Sequence, residues 1–168
     1  MPTRRTFIKT GLLGAAALAV AGGLYRLRQP APLQPYQPDA AARAALTAIV
    51  PAMLQDALPA ADAAALAATI ERMQAAIAGL PLPTQKEVAD LFGLLTLAPT
   101  RRLLAGVPDW AEASPEQVTA FLRSWQQHRF ALLQSAYQAL HDLIFGAWYA
   151  DPESWSAIGY PGPAVRFG

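Results

Sequence analysis

From Ser114 to Ala150 the chain holds one proline, at the second position, and one glycine, Gly146. No other feature narrows the fold as much. Ser114-Pro115-Glu116-Gln117 is a helix start: serine caps, proline takes the first helical position, and Gln117 stands where its side chain can reach back to the cap. Val118, Phe121, Leu122 and Trp125 then recur at helical spacing. Leu132, Leu133, Ala136, Tyr137, Leu140, Leu143, Ile144 and Trp148 continue the stripe until Asp151-Pro152 stops it. Between the two sets, Gln126-Gln127-His128-Arg129 is polar all round, and any bend is expected there. This spacing predicts a long C-terminal helix as the backbone of the fold.

The preceding residues read the same way. Asp39 is a good N-cap, and Leu46, Ile49, Val50, Met53 and Leu54 follow at helical spacing. Pro51 interrupts them. Either the helix kinks there or a second one starts with Pro51 in its first turn. A further helix is predicted over residues 62–78. Leu66, Ile70, Met73 and Ile77 form its apolar stripe, Glu71, Arg72 and Gln74 lie away from it, and Gly79 stops it. Thr84-Gln85-Lys86-Glu87 has the form of a capping box, with Val88, Leu91, Phe92 and Leu95 on one face behind it. Pro99 breaks that helix, residues 100–104 add a short turn before Gly106, and Val107-Pro108-Asp109-Trp110 is a loop. No segment alternates with period two. The expected fold is all-α, an antiparallel bundle of about four helices over residues 39–150, with an extended Pro/Gly-rich tail over residues 151–168.

Composition excludes several chemistries. The 168 residues carry a formal net charge of +1 and no cysteine, and 54% are hydrophobic. Near-neutral charge with scattered arginines argues against nucleic acid as a partner. Without cysteine there is no disulfide, thiolate zinc site, iron–sulfur cluster or CxxCH haem attachment. His128 and His141 lie thirteen residues apart on the expected helix and point to different faces, so they share no metal. His141 and Asp142 are neighbours whose side chains are expected to diverge. The carboxylates are dispersed, and Met53 and Met73 sit at core spacing. No nucleophile elbow or phosphate loop is present. These residues give no catalytic site, cofactor site or metal site in this chain.

The two ends are less plain. Thr3-Arg4-Arg5-Thr6-Phe7-Ile8-Lys9, followed by the apolar residues 10–24, resembles a twin-arginine export signal, with Arg4, Arg5, Phe7 and Lys9 as its signal residues. An ordinary secretory leader is the plainer reading. The apolar run is short for a membrane span, which needs about 20 residues, and suits a signal segment. Ala19-Val20-Ala21 is small-x-small but lies inside the run, and Arg26 and Arg28 follow it. Residues 1–28 are therefore a leader that is either cut inefficiently or kept as an anchor. Residues 29–38 hold four prolines and read as a spacer.

At the other end, Asp151-Pro152 restarts a helical turn carrying Trp155 and Ile158. Gly159 ends it, and Tyr160-Pro161-Gly162-Pro163 runs extended. Ordering residues 151–168 costs about 1–2 kcal/mol each. Burying Trp155, Ile158 and Tyr160 returns about 1.5–3 kcal/mol apiece. On that balance the segment either frays, with Trp155 folded back on its own bundle, or lies on something larger as a docking tail with a Trp/Tyr anchor.

The leader, the segment Phe130-Ala131-Leu132-Leu133-Gln134-Ser135-Ala136-Tyr137-Gln138-Ala139-Leu140, and Trp148-Tyr149 with Trp155-Ser156-Ala157-Ile158-Gly159-Tyr160-Pro161-Gly162-Pro163 resemble one family. It is the small (gamma) subunit of bacterial membrane-associated, FAD-dependent sugar and polyol dehydrogenases, also called gluconate 2-dehydrogenase subunit 3. The resemblance implies a non-catalytic subunit with no cofactor of its own. FAD would sit in a large partner subunit, and a multihaem cytochrome c subunit, where present, would take the electrons. The small subunit would carry the export signal for both chains, meet the twin-arginine translocase and work in the periplasm. It implies partner contacts through Trp148, Tyr149, Trp155, Ile158, Gly159, Tyr160 and Pro161. Two other readings are a stand-alone periplasmic binding bundle and a membrane-tethered adaptor.

Overall fold

A computed structural model describes residues 36–58, 62–107 and 109–162. Arg4, Arg5, Phe7, Lys9, the apolar run and Pro163 lie outside them. Among the described residues the structure is all-α, with six α-helical segments and no strand. They are α1 (Ala40–Leu54), α2 (Ala63–Ala78), α3 (Leu82–Thr96), the short α4 (Ala98–Thr100), α5 (Pro115–Gln126) and α6 (Ala131–Tyr149). A π-helical turn, Arg101–Ala105, continues α4, and a 3-10 helix, Pro152–Ile158, follows α6.

Helix α1 is the hub. Asp39 caps it by accepting the Ala42 N–H at 2.7 Å. Ala42, Ala45, Leu46, Ile49, Val50, Met53 and Leu54 are all buried along it. That pattern wraps about half of the helix circumference, and α1 packs against α2, α3, α5 and α6. Pro51 starts no second helix; it lies inside α1. The helix loses the bond Pro51 cannot donate, and burial on both sides of that position offsets the loss.

Helix α2 begins at its Asp62 cap and buries Ile70, Met73 and Ile77 as expected. Helix α3 departs from the sequence reading. The box expected at Thr84 does not form, because the helix starts a turn earlier, after Pro81, with Pro83 in the first turn. Proline at that place costs no intrahelical bond. Gln85 is thereby freed and buried. Its Nε2 donates to the carbonyls of Ala78 (3.2 Å) and Leu80 (2.8 Å), and its Oε1 accepts the Tyr36 N–H at 2.9 Å. Tyr36 also stacks on Phe92 with ring centroids 6.1 Å apart, and Pro38 is buried. The last residues assigned to the spacer therefore belong to the folded domain.

Trp110, in the expected loop, closes the far end of α3. Its indole N–H donates to the Leu95 carbonyl at 2.7 Å, and its ring meets Phe121, which in turn meets Trp125. Helix α5 starts with the complete capping box at Ser114 and Gln117.

The long C-terminal helix is two helices. A continuous one would place His128 and Arg129 on the line of Trp125, at i+3 and i+4, and so in the core. Instead the chain turns over residues 127–130. The Phe130 N–H donates to His128 Nδ1 (3.1 Å), and Gln134 Nε2 donates to the His128 carbonyl (2.8 Å). These local bonds replace helical ones. Helices α5 and α6 then pack on each other as a hairpin. Among the described residues the bundle thus has five long helices. Leu132 is the one member of the expected stripe that is strongly exposed, at 73%; it lies in the first turn of α6, about 100° from the line of Leu133 and Leu140.

Candidate partner-docking surface

The end of α6 is where the two packed helices and the tail meet. Arg72 was expected on the outer face of α2. It is half-buried and reaches α6 instead: its Nε donates to the Ala147 carbonyl at 2.9 Å, Nη1 to Asp151 Oδ2 at 2.9 Å, and Nη2 to Thr69 Oγ1 at 3.4 Å. A cation at a helix C-terminus meets the unsatisfied carbonyls of the last turn. The fork of the guanidinium lets one side chain bind that carbonyl and a carboxylate together. Asp151 then works twice, since its Oδ1 accepts the Glu153 N–H at 3.0 Å and caps the 3-10 helix.

From this anchor the tail folds back on itself. The Trp155 indole N–H donates to the Tyr149 carbonyl at 2.7 Å. The Tyr160 N–H donates to the Trp155 carbonyl at 3.0 Å, and the two rings meet edge to face at 5.3 Å. Gly159 ends the 3-10 helix in the left-handed region (φ 68°), as the sequence suggested. Gly162 has φ 91°, and a Cβ there would stand 3.2 Å from Trp155 Cζ3. The chain therefore passes directly over the indole. Burial of three side chains does not by itself offset the chain entropy of this segment; the Arg72–Asp151 pair and these bonds to backbone carbonyls add to it and order residues 151–162.

The fold sorts the expected contact residues into two groups. Trp148 is in the core, Trp155 is half-buried and supports the tail from beneath, and Tyr149 is half-buried. Ile158 (54% exposed), Gly159, Tyr160 (47%) and Pro161 face outward. An apolar edge with an aromatic centre is thus displayed on a fixed base.

Comparison with family models, curated proteins and solved structures found no match.

A second feature runs along α6. Tyr137, His141, Phe145 and Tyr149 form a half-buried aromatic ladder, with ring centroids 6.2, 4.4 and 6.0 Å apart in turn. Their spacing of four was visible in the sequence as same-face neighbours. The divergence expected of His141 and Asp142 is corrected: Nδ1 and Oδ1 stand 3.1 Å apart, because the exposed carboxylate swings along the helix surface. Asp142 also accepts Gln138 Nε2 at 2.7 Å. Hydrogen bonds from His141 and then Gln138 hold its carboxyl below the ordinary range. His128 stays apart, at the α5–α6 turn. Among the described residues no group of three or more His, Asp or Glu is placed to hold a metal ion, and no helix is long and apolar enough to cross a membrane.

Proposed function

We propose that this chain is a non-catalytic small subunit. It escorts the large subunit of an FAD-dependent sugar or polyol dehydrogenase through twin-arginine export to the periplasm and stays bound there. Arg4 and Arg5 address the translocase. The bundle gives a domain that folds around its own core. The edge formed by Ile158, Gly159, Tyr160 and Pro161 meets the large subunit, which holds the FAD and can pass electrons to a multihaem cytochrome c.

The observation that carries the reading is the support beneath that edge. Arg72, Asp151, Trp155 and Tyr149 hold the tail in one shape, and about half of Ile158 and of Tyr160 is left exposed on it. A pre-ordered aromatic edge loses little freedom on association, and tyrosine is a favoured anchor at interfaces. The sequence adds the leader and the Ile-Gly-Tyr-Pro-Gly-Pro ending.

Co-expression with the large subunit tests the escort role. With Arg4→Lys/Arg5→Lys in this chain, the large subunit should remain in the cytoplasm. Its unchanged appearance in the periplasm would show that it travels without this companion.

A further inference from the structure

The geometry points to the α5–α6 turn as a tip that seats on an anionic lipid bilayer. This inference stands apart from the escort reading, since it concerns the opposite end of α6, about 28 Å from the tail for nineteen residues at 1.5 Å each. Phe130 and Leu132 are 51% and 73% exposed at this turn. Arg129 lies over the Phe130 ring, 4.8 Å from its centroid, and the His128 ring is 5.0 Å from it on centroids. Arg123, exposed in the last turn of α5, adds a second cation. Neither Arg123 nor Arg129 makes an ion pair with a described residue. No aspartate or glutamate occurs between Glu116 and Asp142.

This is an apolar tip with one cation on its aromatic ring and a second in the preceding helical turn, on a turn fixed by the His128 and Gln134 hydrogen bonds. Such a pairing of Phe and Leu with arginine suits the headgroup boundary, where rings enter the acyl edge and guanidinium groups stay with phosphate. An acidic protein face is the other occupant with matching charge. Two apolar side chains are a small core for a protein interface, which buries about 1,200 Å² or more. A bilayer asks only for shallow insertion together with surface charge. The contact is reversible and adds a second signal to any other attachment.

The chain has no cysteine, so one introduced thiol carries one dye. In the full chain, an environment-sensitive dye at Ala131→Cys reports the tip, and the same dye at Ala150→Cys reports the far end of α6; both positions are exposed. Ser135→Cys is a second tip position. The probes are vesicles of phosphatidylcholine alone, or with phosphatidylglycerol, each carrying a lipid-attached quencher. Attachment made elsewhere in the chain brings both dyes to the vesicles but immerses neither. The expected result is quenching at the tip and not at position 150, on the anionic vesicles only. Arg123→Gln/Arg129→Gln should lower the vesicle partition constant read from the tip dye about fivefold per cation removed, with unchanged helical circular dichroism. Equal response of the two dyes, indifference to lipid charge, or protection of the tip dye by the large subunit in place of vesicles would overturn the proposal; the last would assign the tip to an acidic protein face.

Discussion

Replacing Arg72 by methionine keeps the aliphatic stem and removes the guanidinium, so it isolates the polar work of the side chain. Two bonds of 2.9 Å are lost, one to the last turn of α6 and one to Asp151. Bonds from a charged donor contribute about 1.5–3 kcal/mol each when well buried. The two side chains are 29% and 27% exposed, and water screens such a pair and re-solvates the abandoned carbonyl in part. The discounted cost of Arg72→Met is about 2 kcal/mol. Asp151→Asn retains a side-chain oxygen for the Glu153 N–H but loses both the charge and the oxygen that accepts from Arg72, at about 1 kcal/mol. The double variant should fall short of the sum by about 1 kcal/mol, the coupling expected of residues in direct contact. Urea unfolding followed by helical circular dichroism measures all three, with the slope unchanged. Near-ultraviolet dichroism should show loss of the fixed Trp155 environment. Strict additivity, or a loss from Arg72→Met no larger than the 0.5 kcal/mol or so of an ordinary surface change, would refute the assignment of this pair as the tail's anchor.

Two further substitutions probe separate parts of the structure. Gln85→Leu leaves the Ala78 and Leu80 carbonyls and the Tyr36 N–H without partners; a loss of about 3 kcal/mol is expected in the same urea assay, and a neutral result would mean that water replaces Gln85. Gly162→Ala places a methyl group 3.2 Å from Trp155 Cζ3 at φ 91°; about 1–2 kcal/mol of local strain should speed amide exchange at Tyr160 while leaving the helices untouched, and unaltered exchange would show that the chain does not rest on the indole.

The helices were legible where one residue served one purpose. Asp39 and Ser114 cap as their side chains suggest, and the stripes of α1, α2 and α5 lie in the core. Thr84 was misread because a capping box and a proline-led first turn overlap there, and Pro81-Leu82-Pro83 prevails without loss of a bond. The stop at residues 127–130 carries no proline or glycine; it comes from two polar residues that would otherwise enter the core, and the sequence could mark the place but not the outcome. Arg72 was placed outside because periodicity records which face a residue occupies and not how far a long side chain reaches. Its partners, Ala147 and Asp151, are more than seventy positions away. Ile158 and Tyr160 were legible as unusual residues, whereas their outward orientation required the fold-back of Trp155.

The most direct measurement is flavin bound to the tagged full chain recovered from the periplasm after co-expression with the large subunit. The wild-type chain should bring down the large subunit in equal amount with one FAD per pair. Ile158→Ala/Tyr160→Ala, with helicity intact, should raise the Kd for the large subunit at least about thirtyfold and lower that recovery, matching the 2 kcal/mol or more lost when an interface anchor is truncated. Recovery of the wild-type chain alone, without flavin, would contradict the account.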